Sequence, residues 1–172
     1  NGGTASRTSW TVPADWDDSN NSIEVIGAGG AGFSAAQGSG TGGGGGGGYS
    51  KITNLDLTPS GTVTYQIGVG GRKSVVGFGA GLNGGATFFN RTAGSAGTCA
   101  DTVSVCANGG TGATSITGAT GGSTTGADGT TLWAGGAGGT GHATGDNGGG
   151  GGGAGGASQD GKVGGAGSAT GS

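Results

Sequence analysis

The sequence predicts an all-β protein: a small antiparallel β module followed by a glycine-rich bundle of polyglycine II helices, which resemble polyproline II, with essentially no α-helix. Short stretches with apolar residues at alternate positions lie in the first half of the chain, as is typical of half-buried strands. Glycine occupies 53 of the 172 positions. No stretch has the three-to-four-residue spacing of an amphipathic helix, and each interior glycine would destabilise a helix by about 1 kcal/mol relative to alanine.

The strand signals lie between residues 8 and 90. Alternating or apolar runs predict five strands, which are Thr8–Val12, Ser22–Ile26, Tyr49–Leu57 with a bulge near Thr53, Thr62–Val69 and Gly84–Asn90. The stretch Thr58–Gly61 has proline at its second position, which favours a β-turn. We therefore expect the third and fourth strands to form a hairpin.

The second half of the chain carries glycine in local registers of three, such as Gly135, Gly138 and Gly141. A polyproline II helix has three residues per turn and no internal hydrogen bonds. Where glycine lies on the contact face, neighbouring helices approach closely enough to pair their backbone groups with one another, so they need no apolar core. Bulky residues such as Leu132, Trp133 and His142 are then expected at or near loop tips.

These features divide the chain into three regions. Residues 1–90 form the β module with a polyglycine insertion, residues 91–108 form a cysteine-containing loop or hairpin, and residues 109–172 form the polyglycine-helix region. Cys99 and Cys106 are the only cysteines. A disulfide between them would suit an extracellular protein with little core, and an intermolecular bridge or free thiols are the alternatives.

Composition excludes several classes. Collagen needs abundant proline in a strict register, but the chain has only Pro13 and Pro59. Six Lys and Arg residues against nine Asp and Glu residues leave no basic stripe for nucleic acid. No apolar run is long enough to cross a bilayer, so we expect no membrane insertion.

Gly27, Gly29 and Gly32 spell G-x-G-x-x-G directly after an apolar strand, as in dinucleotide-binding proteins. That site also requires a following helix and an acidic residue about 20 positions on. The chain continues into polyglycine instead, and the next acidic residue is Asp56. We interpret these glycines as the point where the strand passes into close-packed glycine backbone, and we expect valine at Gly29 or Gly45 to disrupt folding by crowding.

No arrangement of residues predicts catalysis. His142 is the only histidine, so a metal site with two imidazoles or a histidine-based triad has little to draw on. Asp17 and Asp18 read as a solvated turn, with loose calcium binding a minor alternative. We expect a non-enzymatic protein without catalytic residues, cofactor or metal.

Several motifs, taken in order, resemble the glycine-rich domain of tail-fibre and other structural proteins of tailed bacteriophages. The matching stretches are Trp10–Pro13, Ile23–Gly32, Gly42–Tyr49, Leu57–Gly61 and Gly68–Gly71. The chain departs from the family pattern at Ser60, which separates Pro59 from Gly61, and in the segment around the two cysteines. By composition, the second half is similar to the polyglycine-helix adhesins at the fibre tips of T-even-like phages, in which loops between helices contact the bacterial receptor.

The resemblance implies a virion surface protein, outside the cell, that takes part in host attachment. Its partners would be other fibre proteins or copies of itself, and a bacterial outer-membrane protein or glycan. Candidate contact residues are Phe78, Asn83, Trp133 and His142, which could equally be packing residues of the loops. The alternative is a purely structural fibre, decoration protein or filament subunit; an ice-binding protein would need regular Thr or Ala ladders on a flat face.

Overall fold

The computed structural model of the chain describes residues 7–36, 39–74, 77–91, 99, 103–145 and 147–168. These residues form seven β-strands and no helix, so the predicted all-β class is confirmed. The strands are β1 (Arg7–Thr11), β2 (Ser22–Ile26), β3 (Tyr49–Thr53), β4 (Thr62–Gln66), β5 (Thr87–Arg91), β6 (Val103–Ala107) and β7 (Thr131–Trp133). In the described part of the chain, no helix is long and apolar enough to cross a membrane.

The strands form two antiparallel sheets. One sheet has the order β1-β4-β5-β6 and the other the order β2-β3-β7. Side chains of both sheets meet between them: Val25 packs with Val105 and Ala107, with Ile52 and Phe89 around them. This small layer of apolar side chains is the core that the period-two pattern predicts.

The expected hairpin between the third and fourth strands is wrong. β3 and β4 belong to different sheets, because β3 pairs with β2 and β7 whereas β4 pairs with β1 and β5. The turn itself is present, since the Gly61 N–H donates to the Thr58 carbonyl oxygen at 2.9 Å. Ser60 takes a φ of 62°, the left-handed conformation that a glycine directly after the proline would adopt more readily.

β6 lies in the predicted cysteine-containing loop or hairpin, and β7 lies where the sequence predicted a loop tip. β6 occupies the end of that predicted loop or hairpin and places Cys106 opposite Phe88 of β5. β7 places Trp133 opposite Tyr49 of β3, so the expected location of Leu132 and Trp133 at a loop tip is wrong. The alternation of Val103 and Val105 is typical of a strand and indicates β6. The three residues of β7 are too few to show the two-residue period of apolar side chains.

Cys99 and Cys106 form a disulfide with a Cα–Cα distance of 5.6 Å. Both cysteines are buried, together with Ala86 and Phe88. The bridge therefore fastens the chain before β6 to the outer face of the larger sheet.

The loops at one end of the sheets pack around tryptophan. Trp10 contacts Trp16 and Phe89 edge-on, with ring centroids 5.8 Å and 5.6 Å apart. The Trp16 indole N–H donates to the Leu55 carbonyl oxygen at 3.0 Å. The Asn21 side chain bridges the same two loops, accepting from the Leu55 N–H at 2.8 Å and donating to the Leu55 carbonyl oxygen.

At the other end, the sheets continue into an array of extended glycine-rich segments without regular strand structure, here called the glycine array. Within the described residues it has nine segments, namely 27–34, 41–48, 69–72, 79–85, 108–113, 116–122, 134–142, 147–156 and 161–167. Four of them, 27–34, 41–48, 108–113 and 134–142, directly adjoin β2, β3, β6 and β7, and segments 69–72 and 79–85 are separated from β4 and β5 by no more than two residues. Neighbouring strands thus have neighbouring segments: the Ile26–Tyr49 pair ends the sheet, and the next bond joins the Gly27 N–H to the Gly48 carbonyl oxygen.

Segment 41–48, here called the central segment, shows how the array is held together. The N–H groups of Gly42, Gly45 and Gly48 donate to segment 108–113 and the adjoining Ser115, and those of Gly43 and Gly46 donate to segment 134–142. Its carbonyl oxygens accept from segments 27–34, 116–122 and 147–156, again at every third residue. Residues 42–48 are all buried, so backbone pairing with five neighbours takes the place of an apolar core.

Glycine is required at most contacts of the array, but not at all of them. A Cβ on Gly45 would overlap the backbone carbonyl of Thr120, whereas a Cβ on Gly29 would meet only the Gly45 carbonyl oxygen, at 3.5 Å. The expected crowding is therefore supported at Gly45. At Gly29 it is not supported, because the position is exposed and its one contact has an ordinary van der Waals length.

Candidate binding surface at the distal loops

The end of the glycine array remote from the sheets consists of chain reversals, here called the distal loops. They join residues 34 to 41, 72 to 79, 113 to 116 and 142 to 147. Residues 37, 38, 75, 76 and 146 of these loops lie outside the described part of the chain. Because both adjoining segments of each loop are fixed by backbone hydrogen bonds, the loops have a rigid base.

Backbone contacts place the distal loops side by side. Ser34 and Gly79 exchange two hydrogen bonds, of 2.9 Å and 2.6 Å. Gly40 is packed so closely against the His142 carbonyl that a Cβ there would overlap it. The Gly141 N–H donates to the Ile116 carbonyl oxygen at 2.9 Å, so the four loops form one continuous surface.

Two of the predicted contact residues lie on this surface. The Phe78 side chain is 65% exposed, in the loop that also carries the exposed Lys73 and Ser74. His142 is half-buried, and its Nδ1 lies 2.7 Å from the Thr144 carbonyl oxygen. The loop geometry thus orients the imidazole through its own backbone and leaves the ring at the surface.

The other two predicted contact residues lie elsewhere. Asn83 is exposed on the side of the array, where its Oδ1 accepts from the Gly112 N–H at 2.9 Å. Trp133 is half-buried in β7, at the sheet end of the molecule, and its indole N–H is buried without a partner among the described residues. The structure therefore brings Phe78 and His142 to one end of the molecule and separates both from Trp133.

A short threonine ladder lies on the same side of the array as Asn83. Thr111 and Thr120 face each other on adjacent segments with their hydroxyl oxygens 3.0 Å apart, and the Thr111 hydroxyl also donates to the Thr120 carbonyl oxygen. Thr114 and Thr117, three residues along each segment, are exposed. The sequence registers had not indicated a ladder, because these threonines become neighbours only when the two segments run antiparallel.

The described residues contain no group of three or more His, Cys, Asp or Glu side chains that could hold a metal ion. Asp17 accepts hydrogen bonds from the Ser19 hydroxyl and N–H, at 2.7 Å and 2.9 Å, and these bonds lower the pKa of its carboxyl. The Asp18 carboxylate accepts from the Leu57 N–H at 3.2 Å. The Asp17 carboxylate thus stabilises the turn that the sequence predicted, and the Asp18 carboxylate joins that turn to the chain after β3.

No protein-family model matches the chain, and no curated protein matches it.

Proposed function

We propose that this protein is a structural component of a bacteriophage virion, a tail-fibre or fibre-tip protein that takes part in attachment to the host surface. The observation that carries the proposal is the grouping of the distal loops at one end of a rigid array, opposite the sheets. Binding residues are commonly carried on loops held by a rigid scaffold, because the loops can vary without changing the scaffold.

We infer further that the segments of the array are polyglycine II helices. Each segment of the array pairs with a given neighbour at every third residue, which is the period of a helix with three residues per turn. Such a bundle is stiff for its mass, because its backbone groups are bonded in several directions around each helix. It would hold the distal loops at a distance from the sheets, which are the natural point of attachment to the remainder of a fibre.

The exposed side chains of the distal loops suit a receptor of mixed polarity. Phe78 offers an exposed aromatic ring, a residue type that frequently dominates binding energy once water is excluded from it. His142 and the neighbouring hydroxyl and amide groups offer hydrogen bonds. A bacterial outer-membrane protein or a surface glycan presents partners for both.

The test is adsorption of the purified, fluorescently labelled protein to a panel of bacterial strains, combined with competition against phage adsorption. We expect the double variant Phe78→Ala/His142→Ala to lose at least tenfold in cell binding. Val163→Ala is the matched control, because Val163 is 70% exposed in segment 161–167, outside the distal loops. Equal binding by both variants would remove the distal loops as the contact surface.

The proposal would be overturned if the protein bound none of the strains that the phage infects and did not compete with phage adsorption. The protein would then be a purely structural fibre, decoration protein or filament subunit.

A further inference from the structure

The central segment has one side without a neighbour. Two of its five neighbours, segments 108–113 (with Ser115) and 134–142, take up the N–H groups of Gly42, Gly43, Gly45, Gly46 and Gly48. The N–H groups of Gly44 and Gly47 donate to no described residue, although both glycines are buried. Buried backbone donors are almost always paired in folded proteins, so these two groups point to a position that another chain can fill.

Segments 27–34 and 147–156 form the walls of this position. Each bonds to the central segment, and each also has carbonyl oxygens that accept from no described residue, among them those of Gly30 and Gly152. The position therefore offers donors on its floor and acceptors on both walls. An extended chain in this position could accept hydrogen bonds from the N–H groups of the floor through its carbonyl oxygens. Its own N–H groups could donate to the carbonyl oxygens of both walls.

The walls also leave room for a chain. A Cβ on Gly29 would lie 3.5 Å from the Gly45 carbonyl oxygen, and one on Gly151 would lie 3.8 Å from the Gly44 carbonyl oxygen. Both positions therefore face the open side of the central segment, and both glycines are exposed. Ala154 follows Gly151 by one three-residue step and brings a methyl group to the sheet end of the same wall.

We propose that this groove binds one extended glycine-rich segment of a second polypeptide, with glycine at least at every third residue. The segment would accept hydrogen bonds from Gly44 and Gly47 and donate to the carbonyls of the two walls, completing the six neighbours of the central segment. This is the counterpart in a glycine array of strand addition at a sheet edge. It rests on the backbone hydrogen bonds alone and is independent of binding by the distal loops.

Nuclear magnetic resonance of the full chain tests the proposal. The probe is the capped peptide Asn-Gly-Gly-Gly-Gly-Gly-Gly-Ala-Gly-Gly, the sequence of residues 147–156, added up to millimolar concentration. We expect saturable shifts of the Gly44 and Gly47 amides and at least a tenfold slowing of their hydrogen exchange. The Gly43 and Gly46 amides, which are already bonded, are the internal controls and should change little.

Three variants separate docking from folding. Gly29→Val and Gly151→Val should fold and lose the peptide-induced shifts, because their side chains would occupy the groove. Gly165→Val should keep them, since a Cβ there meets no atom within 4 Å in a segment that is not a wall. Ala154→Gly should strengthen binding.

If the peptide did not change the hydrogen exchange of the Gly44 and Gly47 amides, water alone would pair these groups. That result would overturn the proposal. Equal shifts in Gly29→Val, Gly151→Val and the unmodified chain would overturn it as well.

Discussion

The Cα of Gly45 lies so close to the Thr120 carbonyl that no side chain can be placed between them. Gly45→Ala should therefore force two buried segments apart and destabilise the protein by about 1–3 kcal/mol or more, the usual cost of overpacking. The measurement is the free energy of unfolding in guanidinium chloride. Gly165→Ala, at an open position, should be neutral or stabilising by up to about 1 kcal/mol. Equal losses in the two variants would show that close backbone contact at Gly45 does not require glycine.

Removal of the Cys99–Cys106 bridge should destabilise the protein without changing its fold. The bridge closes a loop with a sequence separation of 7, and bridges over such short loops contribute about 2–3 kcal/mol. A thermal melt with and without a phosphine reductant measures the loss. The variant Cys99→Ala/Cys106→Ala should melt at the lower temperature with and without the reductant. If the reductant did not change the melting temperature of the unmodified chain, the bridge would not be stabilising.

Removal of the indole N–H should cost more stability at Trp16 than at Trp133. Trp16→Phe loses the bond to the Leu55 carbonyl oxygen, which then keeps only its bond from the Asn21 amide, at a cost of about 1 kcal/mol. Trp133→Phe removes a buried donor that has no partner among the described residues, so its cost should be smaller. Urea unfolding of the two variants tests the order, and a larger loss in Trp133→Phe would indicate that a bound water pairs this N–H.

Glu24 should contribute to stability at neutral pH and not in acid. The Lys51 ammonium, 3.2 Å from the Glu24 carboxylate, lowers the pKa of Glu24 through a hydrogen bond. Because the folded-state pKa lies below the unfolded one, the contribution is present above the unfolded pKa and is lost as the pH falls through the folded pKa. Glu24→Gln should therefore lower the melting temperature slightly at pH 7 and leave it unchanged at pH 2.

Salt provides the control for that measurement. Both side chains are partly exposed, so 1 M sodium chloride should reduce the difference at pH 7. A difference that is equal at both pH values would mean that Glu24 acts through packing and not through its charge.

The local sequence pattern was sufficient to predict the bounds of some strands but not of others. Ser22–Ile26 has its predicted bounds because its alternation is uninterrupted and ends at a glycine. The predicted strand Thr62–Val69 instead ends at Gln66, since Ile67 is 69% exposed and the chain then enters the glycine array. Apolar alternation alone does not distinguish a strand from the first residues of an array segment.

The candidate surface was only partly predictable for a related reason. Phe78 and His142 lie in glycine settings between array segments, so the sequence placed them correctly in loops. Trp133 has a similar setting, yet it pairs with Tyr49 of β3. That pairing joins residues far apart in the chain, so the local sequence around Trp133 does not predict it.

The sequence by itself determined the two kinds of structure in this protein. They are strands with alternating apolar residues near the start, and glycine-rich backbone that must pair laterally because it has no side chains to bury. Only the tertiary structure decided how they join. Strands that follow one another in sequence entered different sheets, and segments from both halves of the chain surrounded residues 41–48. The physical reason is that glycine contacts carry no side-chain code for partner choice. The partner of each segment is set instead by the strand from which it emerges and by the register of its hydrogen bonds.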